Sequence, residues 1–166
     1  HQNRHKLDLQ VEEKGIDGPV TRVDRYLEQL TIDTLRKSYK NHSFLGEEFG
    51  MQEGKGHDAD WCWVIDPLDG TLNFINGFPH FCISIAVQHK GVTQHGVIYD
   101  PVKDELFSAS RGRGAMMNQR RIRVNIKDSL DNTFVGVGHA YRNKRNGEVV
   151  SYAKNHFDSL LNVTEA

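Results

Sequence analysis

The first strong pattern along the chain begins at Thr21. Val23, Leu27, Leu30, Ile32, Leu35 and Tyr39 recur near a 3.6-residue period with polar residues between them, which predicts an amphipathic helix ending before Asn41-His42. Thr21 and Asp24 mark its start, because a threonine hydroxyl caps the free N–H groups of the first turn. Residues 1–20 are polar and contain glycine, and predict an extended or mobile lead-in. Beyond the helix, Phe44-Leu45 reads as a short strand, Gly46-Glu47-Glu48-Phe49-Gly50 as a turn and the polar residues 51–60 as a loop. The compact apolar run 61–65 predicts a buried strand, and 66–79 a turn followed by a short helical piece. Residues 81–88, 93–99 and 105–110 predict successive strands separated by Gly91 and the Asp100-Pro101 turn. Gly112-Arg113-Gly114 is another turn, and 115–124 a strand pair around Asn118-Gln119. A further strand is expected over 133–138 and a second helix over 147–161. Helices packed on one mainly antiparallel sheet make an α+β fold.

Bulk properties narrow the picture. A chain of 166 residues suits one domain with a sizeable core. Twenty-one Lys+Arg against 22 Asp+Glu leave a net charge of −1, so no global field draws the chain to nucleic acid or an acidic membrane. No run approaches the length of a membrane span, and His1-Gln2-Asn3-Arg4 does not read as a signal peptide. Cys62 and Cys82 form neither a CxxC pair nor a zinc spacing and read as reduced, buried core thiols, which favours a cytoplasmic setting.

The chemistry concentrates in Asp66-Pro67-Leu68-Asp69-Gly70-Thr71. Pro67 fixes its own φ and biases Asp66 toward extended backbone, so the strand stops abruptly and the turn can bring two carboxylates to one point. Oxygen ligands of this kind suit a hard cation such as Mg²⁺. Gly70 and Thr71 fall at the start of a short helix, where outward N–H groups can receive a phosphate oxygen and no Gly70 side chain obstructs it. Asp-Pro and Asp-Gly are also common turn dipeptides, and by themselves mark only a turn. Glu47 and Glu48 form a second acidic point, readable as a solvated turn or as a second metal position that activates water. Asp24 is a third candidate beside its capping role. Lys14 lies in a glycine-flanked polar segment where a solvated lysine is the default. None of the nine histidines has metal-ligand spacing with another.

The string from Asp66 to Phe74 resembles the hallmark Asp-Pro-Ile/Leu-Asp-Gly-Thr-x-Asn-Phe of the inositol monophosphatase family. Gly46-Glu47-Glu48 resembles the family's upstream Gly-Glu-Glu, Val20-Thr21-Arg22-Val23-Asp24 its Val-Thr-x-x-Asp, and Lys14-Gly15 its mobile-loop lysine segment. Phe78-Pro79-His80-Phe81, the strand from Gly96 into Asp100-Pro101, and Gly112-Arg113-Gly114-Ala115 also fit, so the likeness runs over about residues 7–166. It implies a sugar-phosphatase fold, layered α/β/α/β/α when complete. Here that means mainly the N-terminal helices packed on an antiparallel sheet.

The resemblance further implies hydrolysis of a phosphate monoester by a water activated by Mg²⁺, with two or three ions in the complete site. Glu47, Asp66, Asp69 and the Leu68 carbonyl would ligate metal. Gly70, Thr71 and Asp69 would contact substrate, Thr71 with Glu47 would orient the water, and Asp24 would support Thr71. The family's downstream Trp-Asp-x-Ala-type metal ligand and Gly-x-x-Ala substrate loop are not found in 1–166. The expectation is therefore the N-terminal metal- and phosphate-binding part of a longer domain, without its first helix.

Leu72-Asn73-Phe74 resembles the inositol-type branch, whereas the nucleotide branch has Lys-Gly after the Thr. Inositol monophosphate is thus the expected substrate, with fructose bisphosphate or another sugar phosphate as the alternative. Family members commonly form homodimers. Bacterial SuhB-like members also bind transcription factors and support antitermination, and the arginines at 111, 113, 120, 121 and 123 offer either a basic contact surface or a solvated hairpin.

Overall fold

The structure, a computed structural model, describes residues 21–124 throughout and, outside them, Glu12, Glu13, Pro19, Val20, Ile126, Ser129, Phe134, Asn143–Arg145 and Glu148–Val150. The chain divides into two units, residues 1–124 and 125–166.

In the first unit, β1 (Glu12–Glu13) and β2 (Pro19–Val20) pair antiparallel ahead of α1 (Arg22–Ser38). There follow β3 (Ser43–Gly46), β4 (Gly50–Gln52), a 3-10 turn (Gly56–Asp60), β5 (Trp61–Asp69), α2 (Thr71–Ile75), β6 (Cys82–His89), β7 (Val92–Asp100), β8 (Glu105–Ser110), β9 (Gly114–Met117) and β10 (Arg120–Ile122). Eight strands form one sheet in the order β10-β9-β8-β7-β6-β5-β3-β4. Every pairing is antiparallel except β3 with β5, so the mainly antiparallel sheet expected from the sequence is present.

Helix α1 begins as its sequence dictates. Thr21 Oγ1 accepts from the Val23 N–H at 3.1 Å, and Asp24 Oδ2 accepts from the Thr21 N–H at 2.8 Å, completing a capping box. Arg36 and Lys37 occupy the last turn, where positive charge complements the exposed carbonyls. The buried stripe, however, is Asp24, Glu28 and Ile32. Leu30, expected on the core face, is 48% exposed, and Tyr39 is 40% exposed. The helix has turned two carboxylates inward because both find hydrogen-bond donors there, as described below.

Ile32, Phe44 and Ile65 form the core, with Leu35, Trp63 and Ile85 packed around them. Pairing of Phe44 with Trp63 and of Ile65 with Ile85 puts these four on one sheet face, under α1. Each fully buried side chain of this kind contributes about 1.5–3 kcal/mol relative to exposure. The Arg36 guanidinium lies 5.0 Å from the Phe44 ring centre and donates to Gln52 Oε1 at 2.6 Å, tying the helix to the edge strand β4.

Three expectations are corrected. The loop expected over 51–60 contains the end of β4 and the 3-10 turn, because β3 gains backbone partners by pairing Leu45 with Met51 and Gly46 with Gly50. Strand β5 runs past residue 65 to Asp69. In the second unit, β11 (Asn143–Arg145) and β12 (Glu148–Val150) pair antiparallel, so 148–150 is strand rather than helix. The intervening sequence is Asn146-Gly147, the dipeptide favoured between two hairpin strands, and it outweighs the helical spacing at this point. The rest of the helix expected to 161 lies outside the described residues, as does the strand expected over 133–138 apart from Phe134, which is exposed and unpaired in any strand.

The β7–β8 turn rests on one carboxylate. Asp100 Oδ1 accepts from the Val102 and Lys103 N–H groups at 2.9 and 3.0 Å, and its Oδ2 lies 2.8 Å from Lys103 Nζ. The Lys103 side-chain hydrogen bond, then the backbone donors, hold its carboxyl below the usual carboxylate range. A depressed folded pKa stabilises above the unfolded value of about 3.9 and is lost as pH falls through the folded value. Asp100→Asn should therefore melt below the parent at pH 7, and the gap should close progressively below about pH 4, as read by thermal unfolding across pH.

Candidate metal and phosphate site

The site starts from a parity problem. Asp66 and Asp69 are three apart, and odd spacing places side chains on opposite faces of a regular strand. In β5, Asp66 pairs with Ser84 and Asp69 with Cys82, so three steps on β5 meet two on β6. This bulge restores the alternation and returns both aspartates to one face. It is the face of Val64 and Ser84, opposite the core face of Ile65 and Ile85. Fully buried Pro67 sits in the bulge, where a missing N–H removes no ladder bond. The Leu68 N–H donates to Asp66 Oδ1 at 3.1 Å and closes the irregular step.

The chain then turns into α2. Gly70 precedes the helix at φ 93° and ψ 33°. A Cβ there would stand 2.9 Å from the His80 carbonyl oxygen and 3.2 Å from Phe81 Cα. The His80 carbonyl also accepts from Asn73 Nδ2 at 2.7 Å, and Phe74 meets Phe81 edge-on at 5.2 Å, so the segment after α2 folds back over the turn. The Thr71 hydroxyl has one proton and two acceptors in reach, Asp24 Oδ1 at 2.9 Å and the Leu68 carbonyl at 3.0 Å. Asp24, with 3% exposure, thus joins the cap of α1 to the end of β5.

Glu47 is exposed on the β3–β4 turn, with its carboxyl within hydrogen-bond reach of the half-buried Asp66, a bond that needs a proton on one of the two. Both line a cavity of about 300 Å³ with Leu45, Gly46, Val64 and Ser84. The Asp66 carboxyl is held above the usual range, first by desolvation and then by the charges of Asp69 and Asp24. The Leu68 N–H and the Glu47 hydrogen bond oppose that rise. Carboxylates gathered around Asp66 form an oxygen donor set that fits a hard cation. Asp69 is exposed and accepts from Cys82 Sγ at 3.6 Å. Desolvation, followed by the charge of Asp69, pushes the Cys82 thiol up to about 11. Cys62 and Cys82 are free but only half-buried, a correction to the expected buried core thiols.

The structure therefore brings Glu47 to Asp66, and Asp24 to Thr71 and the Leu68 carbonyl. Among the described residues, no three His, Cys, Asp or Glu side chains converge tightly enough to hold an ion together. Lys14 lies outside the described residues. A larger cavity of about 450 Å³, lined by Tyr39, His42, Trp61 and Trp63 among others, carries no carboxylate. No described helix is long and apolar enough to cross a membrane. Two neighbours of the site escaped the sequence reading. Cys82 is visible only through the β5–β6 register. Glu28 was hidden by the search for apolar periodicity, although its spacing of four from Asp24 places both on one helix face.

An acid-rich bulge ending an inner strand of a mixed α+β sheet is the class of site this fold presents. The chain belongs to the inositol monophosphatase family, whose sequence profile matches residues 2–160. It is 48% identical over 160 residues to the Nus factor SuhB of Pseudomonas aeruginosa, covering 96% of this chain and 59% of that protein. The crystal structure of the extragenic suppressor protein suhB from Bartonella henselae superposes with a TM-score of 0.70 at 43% identity, over 74% of this chain and 47% of that one. The inositol monophosphatase from Anabaena gives 0.58 at 42% identity, over 64% and 42%. The chain thus spans about half to three-fifths of the length of the curated relatives it matches.

At Gly70 the positive φ and the close backbone leave no room for a side chain. Gly70→Ala is expected to destabilise the protein by about 1–3 kcal/mol, read as a lower urea midpoint with an unchanged slope.

Proposed function

We propose that this chain carries the metal- and phosphate-binding part of a Mg²⁺-dependent phosphomonoesterase, with inositol monophosphate as its substrate. The observation that carries the reading is the contact of Glu47 with Asp66 in a cavity at the strand end, beside the Asp24–Thr71 hydrogen bond. Family membership supports the phosphatase class.

Glu47, Asp66, Asp69 and the Leu68 carbonyl would hold Mg²⁺. The ion supplies positive charge that acidifies an attacking water and stabilises the departing alkoxide. Thr71 commits its proton to a buried acceptor and keeps its lone pairs for a proton of that water, which Glu47 would also orient. Asp24 holds the hydroxyl in that orientation and is itself fixed by the Thr21 N–H. Gly70 lets the phosphate approach the backbone, and the N–H groups of the first turn of α2 have no intrahelical acceptor. Attack on phosphorus breaks the ester P–O bond and leaves inorganic phosphate and the free alcohol.

A second reading concerns partners. Several of the curated relatives are named Nus factors, and Arg111, Arg113, Arg120, Arg121 and Arg123 are all exposed along β8–β10 and its turns. The same protein would then contact transcription factors as a soluble, cytoplasmic homodimer, and the two roles are compatible.

In the full-length protein, Asp69→Asn is expected to lower Mg²⁺-dependent phosphate release by at least about 100-fold, on the scale of losing a major electrostatic contribution. Near-normal turnover would remove Asp69 from the ligand set. A panel of phosphate esters is expected to give the highest kcat/KM with inositol monophosphate. For the second reading, transcription factors should be retained by the parent protein and lost when Arg120 and Arg121 are changed to Glu, with phosphatase activity intact.

A further inference from the structure

Glu28 is fully buried on α1, one turn beyond Asp24. A carboxylate removed from water needs donors to offset its desolvation. Glu28 finds them on the β3–β4 turn: Oε2 accepts from the Glu48 N–H at 2.7 Å and Oε1 from the Phe49 N–H at 3.0 Å. Its carboxyl group also lies against the Gly46 backbone. A Cβ on Gly46 would fall 1.8 Å from Oε1 and 2.2 Å from Cδ, so only glycine fits. Gly46 pairs with Gly50 across the hairpin and with Ile65 on β5. The carboxylate therefore fills the inside of the turn and grips it on both sides of Glu47.

Glu47 is the residue of that turn that reaches Asp66. We propose that Glu28 is a positioning residue: it anchors the Gly46–Phe49 turn so that the Glu47 carboxylate is held against Asp66 before a cation binds. The proposal rests on the reading of Glu47 and Asp66 as cation ligands. It makes α1 the common support of the site's two arms, with Asp24 holding Thr71 and Glu28 holding Glu47. A glutamine has the shape of this carboxylate but presents an NH₂ to one of two N–H donors, so one bond becomes a donor–donor clash.

The test is calorimetric titration of full-length protein with Mg²⁺ alone, backed by kinetics at saturating Mg²⁺. Glu28→Gln is expected to weaken Mg²⁺ binding about tenfold or more, as loss of a group that orients a metal ligand does. Its KM for the phosphate ester and its kcat at saturating Mg²⁺ should stay within about threefold of the parent, below the loss typical of a catalytic group. A folded Glu28→Gln protein with unchanged Mg²⁺ affinity overturns the proposal, even if it melts lower, because a purely structural role moves only the melting temperature. If Glu28→Gln does not fold, Gly46→Ala decides. Its methyl displaces the carboxylate while keeping the charge, and unchanged Mg²⁺ affinity there overturns the proposal equally. Glu47→Gln separates the two levels. If it leaves Mg²⁺ affinity intact, the ligand reading itself fails. If it weakens binding while Glu28→Gln does not, only the positioning role fails.

Discussion

Two buried carboxylates on one helix face organise the first unit. Asp24 and Glu28 occupy positions where an amphipathic helix would normally present apolar groups, and each is held by hydrogen bonds. Beyond the local Thr21 cap, their donors come from elements remote in sequence: the Thr71 hydroxyl after β5 and the turn after β3. A buried acid without those donors would oppose folding, whereas one with them fixes their positions. Ile32, next on the same stripe, packs with Phe44 and Ile65 and locks the helix over the sheet. The apolar contacts thus set where α1 lies, and the carboxylates set what lies at its N-terminal half.

The bulge in β5 is the complementary device on the sheet. Without it the pleat would send Asp66 and Asp69 to opposite faces, and one would point toward the core. The inserted residue gives the strand end a face with two carboxylates, while Ile65 keeps its place opposite Ile85. Pro67, buried in the irregular step, makes regular pairing impossible there. Gly70 then reverses the chain with a backbone conformation that a side chain would obstruct. A strand, a bulge and a left-handed glycine in succession convert a buried sheet into an acidic rim within a few residues.

Much of this was legible in the sequence because it rests on local rules. The Thr21–Asp24 capping box and the Asn118-Gln119 turn between β9 and β10 follow from short-range chemistry; the stop expected after Asp66 is instead a bulge, and the strand runs on to Asp69. What was not legible depends on register or on remote donors. That the bulge puts Cys82 beside Asp69 is invisible without the β5–β6 alignment. Leu30 was expected on the core face and is half exposed, and periodicity, which weighs hydrophobicity, cannot see that the β3–β4 turn supplies two N–H donors to a buried Glu28. The strand at 148–150 is hidden for a different reason: it lies within a helical spacing, and the turn chemistry of Asn146-Gly147 just before it favours a hairpin.

The raised proton affinity of Asp66 connects the stability of this region to its proposed occupant. A carboxyl whose folded pKa exceeds its unfolded value stabilises the fold below the unfolded pKa, and that contribution disappears as pH rises through the folded value. At neutral pH the desolvation of Asp66, and with it the charges of Asp69 and Asp24, therefore oppose folding of the cation-free protein. An ion seated among them would cancel that repulsion, and binding to the folded state alone stabilises it in proportion to the logarithm of ion concentration over Kd. The Glu47 side chain lines the same cavity as Asp66, and its turn keeps one position there only if something holds it. Glu28 and the close fit of Gly46 beneath it supply that restraint from the side of the helix, without adding a positive charge that would compete with the cation. An anionic anchor that grips backbone N–H groups is thus better suited to this turn than a lysine or arginine, since it fixes the ligand while leaving the neighbouring field negative.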